Sequence, residues 1–439
     1  MGTIGRGCPA NRWYSDGGAR RSQDDGSRGN LDDWRASVAQ QCSGNSRLVL
    51  ALASAFAAPC LHLAGQEGGG LHLRGPSSCG KSTVLALAAS VYGPPEYRRE
   101  WRASDNGLEG VAALHCDALL PLDEIGQLDP RHAAGAAYLL SNGQGKSRSR
   151  RDGSLRAPAT WRVLFVSCGE VGLGDLIAEA GGKLRAGMDV RLIDVPAEAG
   201  AGTGIFDRIP DGLTAGTFAD GLKVSASRHY GTAFPAFLQC LVTDLERARR
   251  FLREGTDKLT RELCGNDSAG QVRRVASRFA LIGCAGALAT AYGITGWDQG
   301  EAERATRRCF SDWLNARGGN GEREPREMVK AVQLFIELHS EGRFSPAGRA
   351  GDDRAQNTKP RRVSLRGRIG TDRTLVLPNV WRTEVCKGFD PSAVARLLVE
   401  RGLLIPGSSG EFQRSERVKG TGEKVRVYRL AAGILDAEA

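Results

Sequence analysis

At 439 residues, with 41% hydrophobic and 25% charged residues, the chain is long enough for two or three ordinary globular domains with separate cores. It has no uninterrupted apolar run of about 18 residues and no basic-then-apolar leader, so neither a membrane span nor a secretory signal is read, and the cytoplasm is expected. Sixty Lys and Arg against 50 Asp and Glu leave a net charge of +10, which admits an anionic partner, while 11 cysteines with no CxxC pair and six histidines with no HxxxH pair argue against a zinc site.

Residues 1–30 are rich in Gly, Arg, Ser and Asp, and bury too little apolar surface to offset ordering entropy, so a disordered stub is expected. LDDWRASVAQQC and RLVLALASAFAAPCLHLA (31–67) predict two helices, the second ended or kinked at Pro59. GGGLHLRG leads through a short strand into GPSSCGKS, and STVLALAASVYG predicts a helix stopped by Gly93 and two prolines. A strand near 97–102 and a helix over 106–117 follow. ALLPLDE (118–124) is an apolar run ending in two carboxylates and reads as a buried strand. A helix from Pro130 to Asn142, a basic segment over 143–158, the strand WRVLFVSCGE, a helix near 172–180 and the strand DVRLIDVP come next. This alternation predicts an α/β core over 68–222, with a parallel sheet between helices.

Residues 200–220 are Gly-rich and predict an exposed loop. A helical domain is expected over 223–342, a linker over 343–360, and a C-terminal domain over 361–439. There, a helix at 392–404 followed by two short strands outlines a winged helix.

GPSSCGKS satisfies GxxxxGK[ST], with a strand before it and a helix after it. Gly75 and Gly80 permit a tight turn whose backbone N–H groups face phosphate oxygens, and Pro76, Ser77, Ser78, Cys79 and Thr83 complete the cradle. Lys81 is expected on the β- and γ-phosphates of ATP and the Ser82 hydroxyl on Mg2+. Asp123 is placed as the second Mg2+ ligand, through water, and Glu124 as the group that polarises the attacking water. Ser167 either orients that water or caps the end of its own strand, and Glu170 is a secondary candidate. Arg185 and Arg191 flank the last strand; either reaches a neighbouring subunit's phosphate or makes a surface ion pair. Lys146, Arg148, Arg150, Arg151 and Arg156, opposed only by Asp152, form a basic loop suited to nucleic-acid phosphates.

These strings, from LDDWRASVAQQC through LHLRGPSSCGKST, ALLPLDEIGQ and ATWRVLFVSCGE to GGKLRAGMDVRLIDVP, resemble one bacterial domain-of-unknown-function family. Its members are P-loop ATPases of prophages and integrated elements, and often follow primase-like modules. The resemblance covers about residues 30–300. It is similar in turn to AAA+ ATPases of the superfamily-3 helicase type. That implies a motor on DNA, chiefly single-stranded, working as a homo-oligomer (a hexameric ring in that type), with a primase as a further partner. It also implies that 143–158 is a pore hairpin gripping DNA, that Ser167 is a sensor, and that Arg185 or Arg191 is the finger. Cys79 stands where this motif commonly carries Thr. The rival expectation is an ATP-switched DNA-binding initiator or regulator that unwinds nothing.

Overall fold

The computed structural model describes residues 26–146, 148–149, 155–156, 158–182, 184, 186–265, 268–318, 323–339, 344–346, 364–366, 374–408, 410–417 and 424–437. The chain divides into two compact units, Met1–Gly321 and Glu322–Ala439. Most of the stub predicted to be disordered, and most of the predicted linker, lie outside the described residues.

In the first unit the alternating pattern folds as expected. Strands β1 (Gly69–Arg74), β2 (Arg99–Glu100), β3 (Leu119–Asp123), β6 (Leu164–Gly169) and β7 (Leu192–Pro196) form one parallel sheet in the spatial order β2-β3-β6-β1-β7. Between β3 and β6 lies a separate antiparallel pair, β4 (Arg148–Ser149) and β5 (Leu155–Arg156). The inner strands are nearly continuous apolar runs because helices cover both faces. Pro121 is tolerated within β3 because β2 is short: its pairing with β3 begins only at Leu122.

From β1 the chain runs to the far edge at β2, then steps back through β3 and β6 and passes over β1 to β7. Right-handed crossovers place the helix after β1 on one face and those after β2, β3 and β6 on the other. The packing agrees. Lys81–Ser90 lies on β3 and β6 together with Ser46–Ala57, whereas Asp105–Leu114, Pro130–Asn142 and Leu173–Glu179 pack in series. A reversal of this kind opens a crevice at the carboxyl edge of the sheet, beside β1.

Ser46–Ala57 is buried along its whole length, under Gly270–Ala291 and Glu301–Arg317. A Cβ on Gly286 would stand 2.6 Å from that of Ala302 and 2.9 Å from that of Ala53, so glycine sets how closely the three helices approach. The stretch Ser46–Ala64 has the length and apolarity of a membrane span, but 83% of it is buried inside the unit, as in a core helix. Pro59 does kink it, through a 3-10 turn over Ala58–Cys60.

Two expectations need correction. The Gly-rich segment 200–220 is not simply an exposed loop: Ile205 and Phe206 are fully buried, and a helix begins at Ala215. The helix Arg323–His339, grouped by sequence with the helical domain, packs within the second unit against Pro391–Glu400. That unit also holds a sheet of β8 (Phe344–Pro346), β9 (Ser364–Arg366), β10 (Thr374–Val376), β11 (Arg414–Arg417) and β12 (Lys424–Leu430), in the order β11-β12-β10-β9-β8. Trp381 is its central side chain, fully buried and stacked on Tyr428 with centroids 4.5 Å apart.

Candidate functional site

The loop from Gly75 to Gly80 leaves β1 at the carboxyl edge and enters the helix Lys81–Ser90. It turns through two left-handed residues, Ser78 (φ 61°) and Gly80 (φ 102°). A side chain at Gly80 would meet Ile205 at 2.8 Å, and one at Gly75 would meet Ala197 at the same distance. The segment after β7 therefore forms the back wall of the loop. Ile205 donates its N–H to the Cys79 carbonyl at 3.0 Å, fastening the two together. Arg47, buried on the helix Ser46–Ala57, holds that wall through the Pro196 and Glu198 carbonyls and pairs with Asp312 at 2.8 Å.

Gly204 has φ +67° and leaves no room for a side chain, since a Cβ would stand 2.4 Å from the Cys79 oxygen. Gly204→Ala is expected to cost about 1–3 kcal/mol, from the left-handed backbone and the displaced loop. A lowered urea midpoint with an unchanged slope checks this.

Pro76, Ser77, Ser78 and Ser82 are exposed, Cys79 is half-buried and Thr83 is buried beneath the turn. Lys81 is folded over its own loop: Nζ donates to the carbonyls of Gly75 at 2.8 Å and Pro76 at 2.6 Å.

One strand lies between this loop and the two carboxylates. The register puts Leu73 beside Cys168 and Leu122 beside Ser167, so β3 delivers Asp123 and Glu124 to the same edge as the loop. Asp123 Oδ1 accepts from the Glu124 N–H and from the Cys168 thiol, both at 3.0 Å, and Arg98 approaches Oδ2 at 3.8 Å. Burial, together with Asp123, raises the Cys168 thiol far above its ordinary range and keeps it a donor. Glu124 has left-handed backbone angles (φ 47°, ψ 81°) and accepts the Gly126 N–H through Oε1 at 3.1 Å. A non-glycine residue held there stores about 1–3 kcal/mol, a cost that clusters at functional sites.

The site residues separate in space. Ser167 is not at its strand's end: β6 continues to Gly169, and Ser167 is fully buried. Its Oγ accepts from Trp101 Nε1 at 2.7 Å and lies 3.0 Å from His72 Nδ1. Arg191 sits at the opposite edge, beside Gly70 at the start of β1. At about 3.3 Å per residue that is roughly 15 Å from the loop of its own chain. Its guanidinium donates to the Gly187 carbonyl at 2.6 Å and stacks on Tyr138 at 4.6 Å. Arg185 lies outside the described residues.

The basic segment, read from composition as a loop, has the stem of a hairpin. Trp161 donates to Gly143, Gln144 bridges Thr160, Gly145 donates to Ala159, and Arg148 and Ser149 pair with Arg156 and Leu155. The stem leaves the edge opposite the phosphate loop, ahead of β6. The Lys146 N–H donates to Glu109 Oε1 at 2.9 Å. Arg150 and Arg151 fall outside the described residues, and Arg148 and Arg156 are described in backbone only.

Sequence patterning missed His72, Arg98, Cys168, Gly204 and Arg47. The one available signal was His72 itself, a polar residue inside the apolar strand LHL.

Residues 14–160 match the model of a family described as Domain of unknown function (DUF927). No curated protein matches the chain. Among solved structures the chain is similar to "SCCmec type IV Cch - active helicase", with a TM-score of 0.69 and 20% identity, over 94% of this chain and 73% of that one. At that identity the likeness establishes the fold: a parallel α/β sheet with appended helices.

Proposed function

We propose that the chain is an ATP- and Mg2+-dependent motor on DNA, a helicase of a mobile element. The observation that carries this is the single edge on which a glycine-built loop with a buried lysine stands one strand away from a strained Asp123-Glu124 pair. The cradle suits phosphates: Gly75 and Gly80 let the loop lie tight against Ala197 and Ile205, and the N-terminus of the helix Lys81–Ser90 opens at the turn. Ser82, exposed, and Asp123 would hold Mg2+, which supplies charge neutralisation at the transferred phosphate. Lys81 would exchange its loop carbonyls for phosphate oxygens. Glu124 would take the proton of the attacking water.

The DNA half of the proposal rests on the hairpin. In the backbone register Arg148 stands directly opposite Arg156, so the stem brings two of the segment's five cations to one place. Arg191 lies at the hairpin's edge of the sheet, away from its own loop, where it could serve a neighbouring subunit in a ring. The likeness to a structure named as an active helicase supports the same reading. For the initiator alternative, the specific observation is the helix Pro391–Glu400 of the second unit. It exposes Arg396, with Arg401 exposed after it.

The test is ATP turnover with and without single-stranded DNA at low and high salt, together with strand displacement on a forked duplex. We expect stimulation by single strands that falls steeply with salt. Tight duplex binding without displacement would favour the initiator, and no DNA effect at low salt would end the motor reading.

A further inference from the structure

The sheet interior contains one polar chain that crosses three strands beneath the candidate site. Trp101, directly after β2, donates its indole N–H to Ser167 Oγ on β6 at 2.7 Å. Ser167 Oγ lies 3.0 Å from His72 Nδ1 on β1, and His72 Nε2 lies 3.0 Å from the carbonyl of Val171, in the turn after β6. A carbonyl can only accept, so Nε2 carries the proton and Nδ1 accepts from the serine hydroxyl. Every donor and acceptor along the chain is then used once by a neutral imidazole. Burial lowers the His72 pKa to about 4, in agreement with a neutral imidazole.

The far end of the chain reaches the chemistry. The turn held by His72 begins at Gly169, and a Cβ there would stand 3.2 Å from His72 Cε1, 3.4 Å from Glu124 Oε1 and 2.8 Å from Ile125 Cγ2. The Glu124 carboxylate and the imidazole edge therefore share the space above one glycine. Among the described residues the Glu124 carboxylate, on strained backbone angles, accepts one hydrogen bond, from the Gly126 N–H, and otherwise lies over this glycine.

We propose that His72 is a positioning residue for Glu124: through its Nε2–H bond to Val171 it fixes the turn that follows Gly169, the glycine over which the imidazole edge and the Glu124 carboxylate lie together. This gives Ser167 a role different from facing the attacking water. It sets the imidazole tautomer and is itself set by Trp101. The proposal rests on the ATPase reading only for its effect on turnover.

The experiment uses the full chain and three substitutions. His72→Gln keeps a donor near the Nε2 position, His72→Asn keeps a partner only for Ser167, and His72→Ala keeps neither. We expect His72→Ala to lower kcat by about 10- to 100-fold, the scale of a small misplacement of a reacting group, with KM for ATP within about twofold. Gln should recover most of the loss and Asn little. In the nucleotide-free protein, nitrogen NMR should show His72 as the Nε2–H tautomer, and His72→Ala should shift the Trp101 indole resonance. An Nδ1–H tautomer, an Asn variant as active as Gln, a folded Ala variant with unchanged kcat, or failure of all three variants to fold would each overturn the proposal. If the wild-type chain does not hydrolyse ATP, the ATPase reading fails instead, and the tautomer still decides whether the relay exists.

Discussion

Glu124→Gln is expected to lower ATP turnover by about 100- to 10,000-fold, the range for loss of a general base, while nucleotide affinity stays within about twofold. The substitution is close to isosteric. Its amide oxygen can still accept the Gly126 N–H, the one hydrogen bond the carboxylate makes among the described residues. Its left-handed backbone is unchanged, so stability should hold within about 0.5 kcal/mol. What it removes is the capacity to take a proton. Neither the loop Gly75–Ser82 nor Asp123 Oδ1, held by the Glu124 N–H and Cys168, needs to move. Steady-state hydrolysis paired with a fluorescent-nucleotide titration checks this. Turnover within fivefold of wild type would remove Glu124 from the chemistry, and a matching loss of affinity would make it a binding residue.

Lys81→Ala should act on the other half of the site. Its ammonium is buried and donates to the carbonyls of Gly75 and Pro76. Those bonds place it inside the turn that would hold phosphate, so its removal deletes the one lysine cation in the cradle. A hydrogen bond to a charged group contributes about 1.5–3 kcal/mol, so nucleotide affinity should fall about 10- to 100-fold, with turnover lost as well. Arginine should not rescue it, because a planar fork cannot occupy a pocket shaped for a compact ammonium. Calorimetric titration of both variants measures the effect. Unchanged affinity in Lys81→Ala would mean that the loop does not bind phosphate.

The two substitutions separate binding from chemistry only because their residues follow different strands, Lys81 after β1 and Glu124 after β3, and that separation was partly legible in the sequence. The helix Pro130–Asn142 was predicted to both ends because its signals are local: Asp129 caps it, Pro130 fits its first turn, and Gly143 adopts the left-handed conformation that ends it. The loop was legible for the same reason, since a turn that needs Gly75 and Gly80 announces itself within eight residues. Asp123-Glu124 was legible as the polar end of an apolar run. Ser167 was legible as a residue of the strand WRVLFVSCGE, but its partners Trp101 and His72 lie 66 and 95 positions away and leave no local signal. The 200–220 segment was read as exposed because glycine content reports backbone freedom and says nothing of what lies against it.

By itself, then, the sequence determined the pieces whose physics is local: the order of strands and helices, the glycine-built loop, the carboxylate pair, and the excess of cations between β3 and β6. Tertiary structure decided their company. Sheet order inserts β6 between β3 and β1, which sets Cys168 against Asp123, joins Trp101, Ser167 and His72 into one chain, and brings Gly204 and Ile205 behind the phosphate loop. It also sends Arg191 to the opposite edge from the loop of its own chain. The contacts it makes join residues from 45 to 126 positions apart in sequence. No helical or strand period spans such gaps, so these contacts follow from which strands pair and in what order.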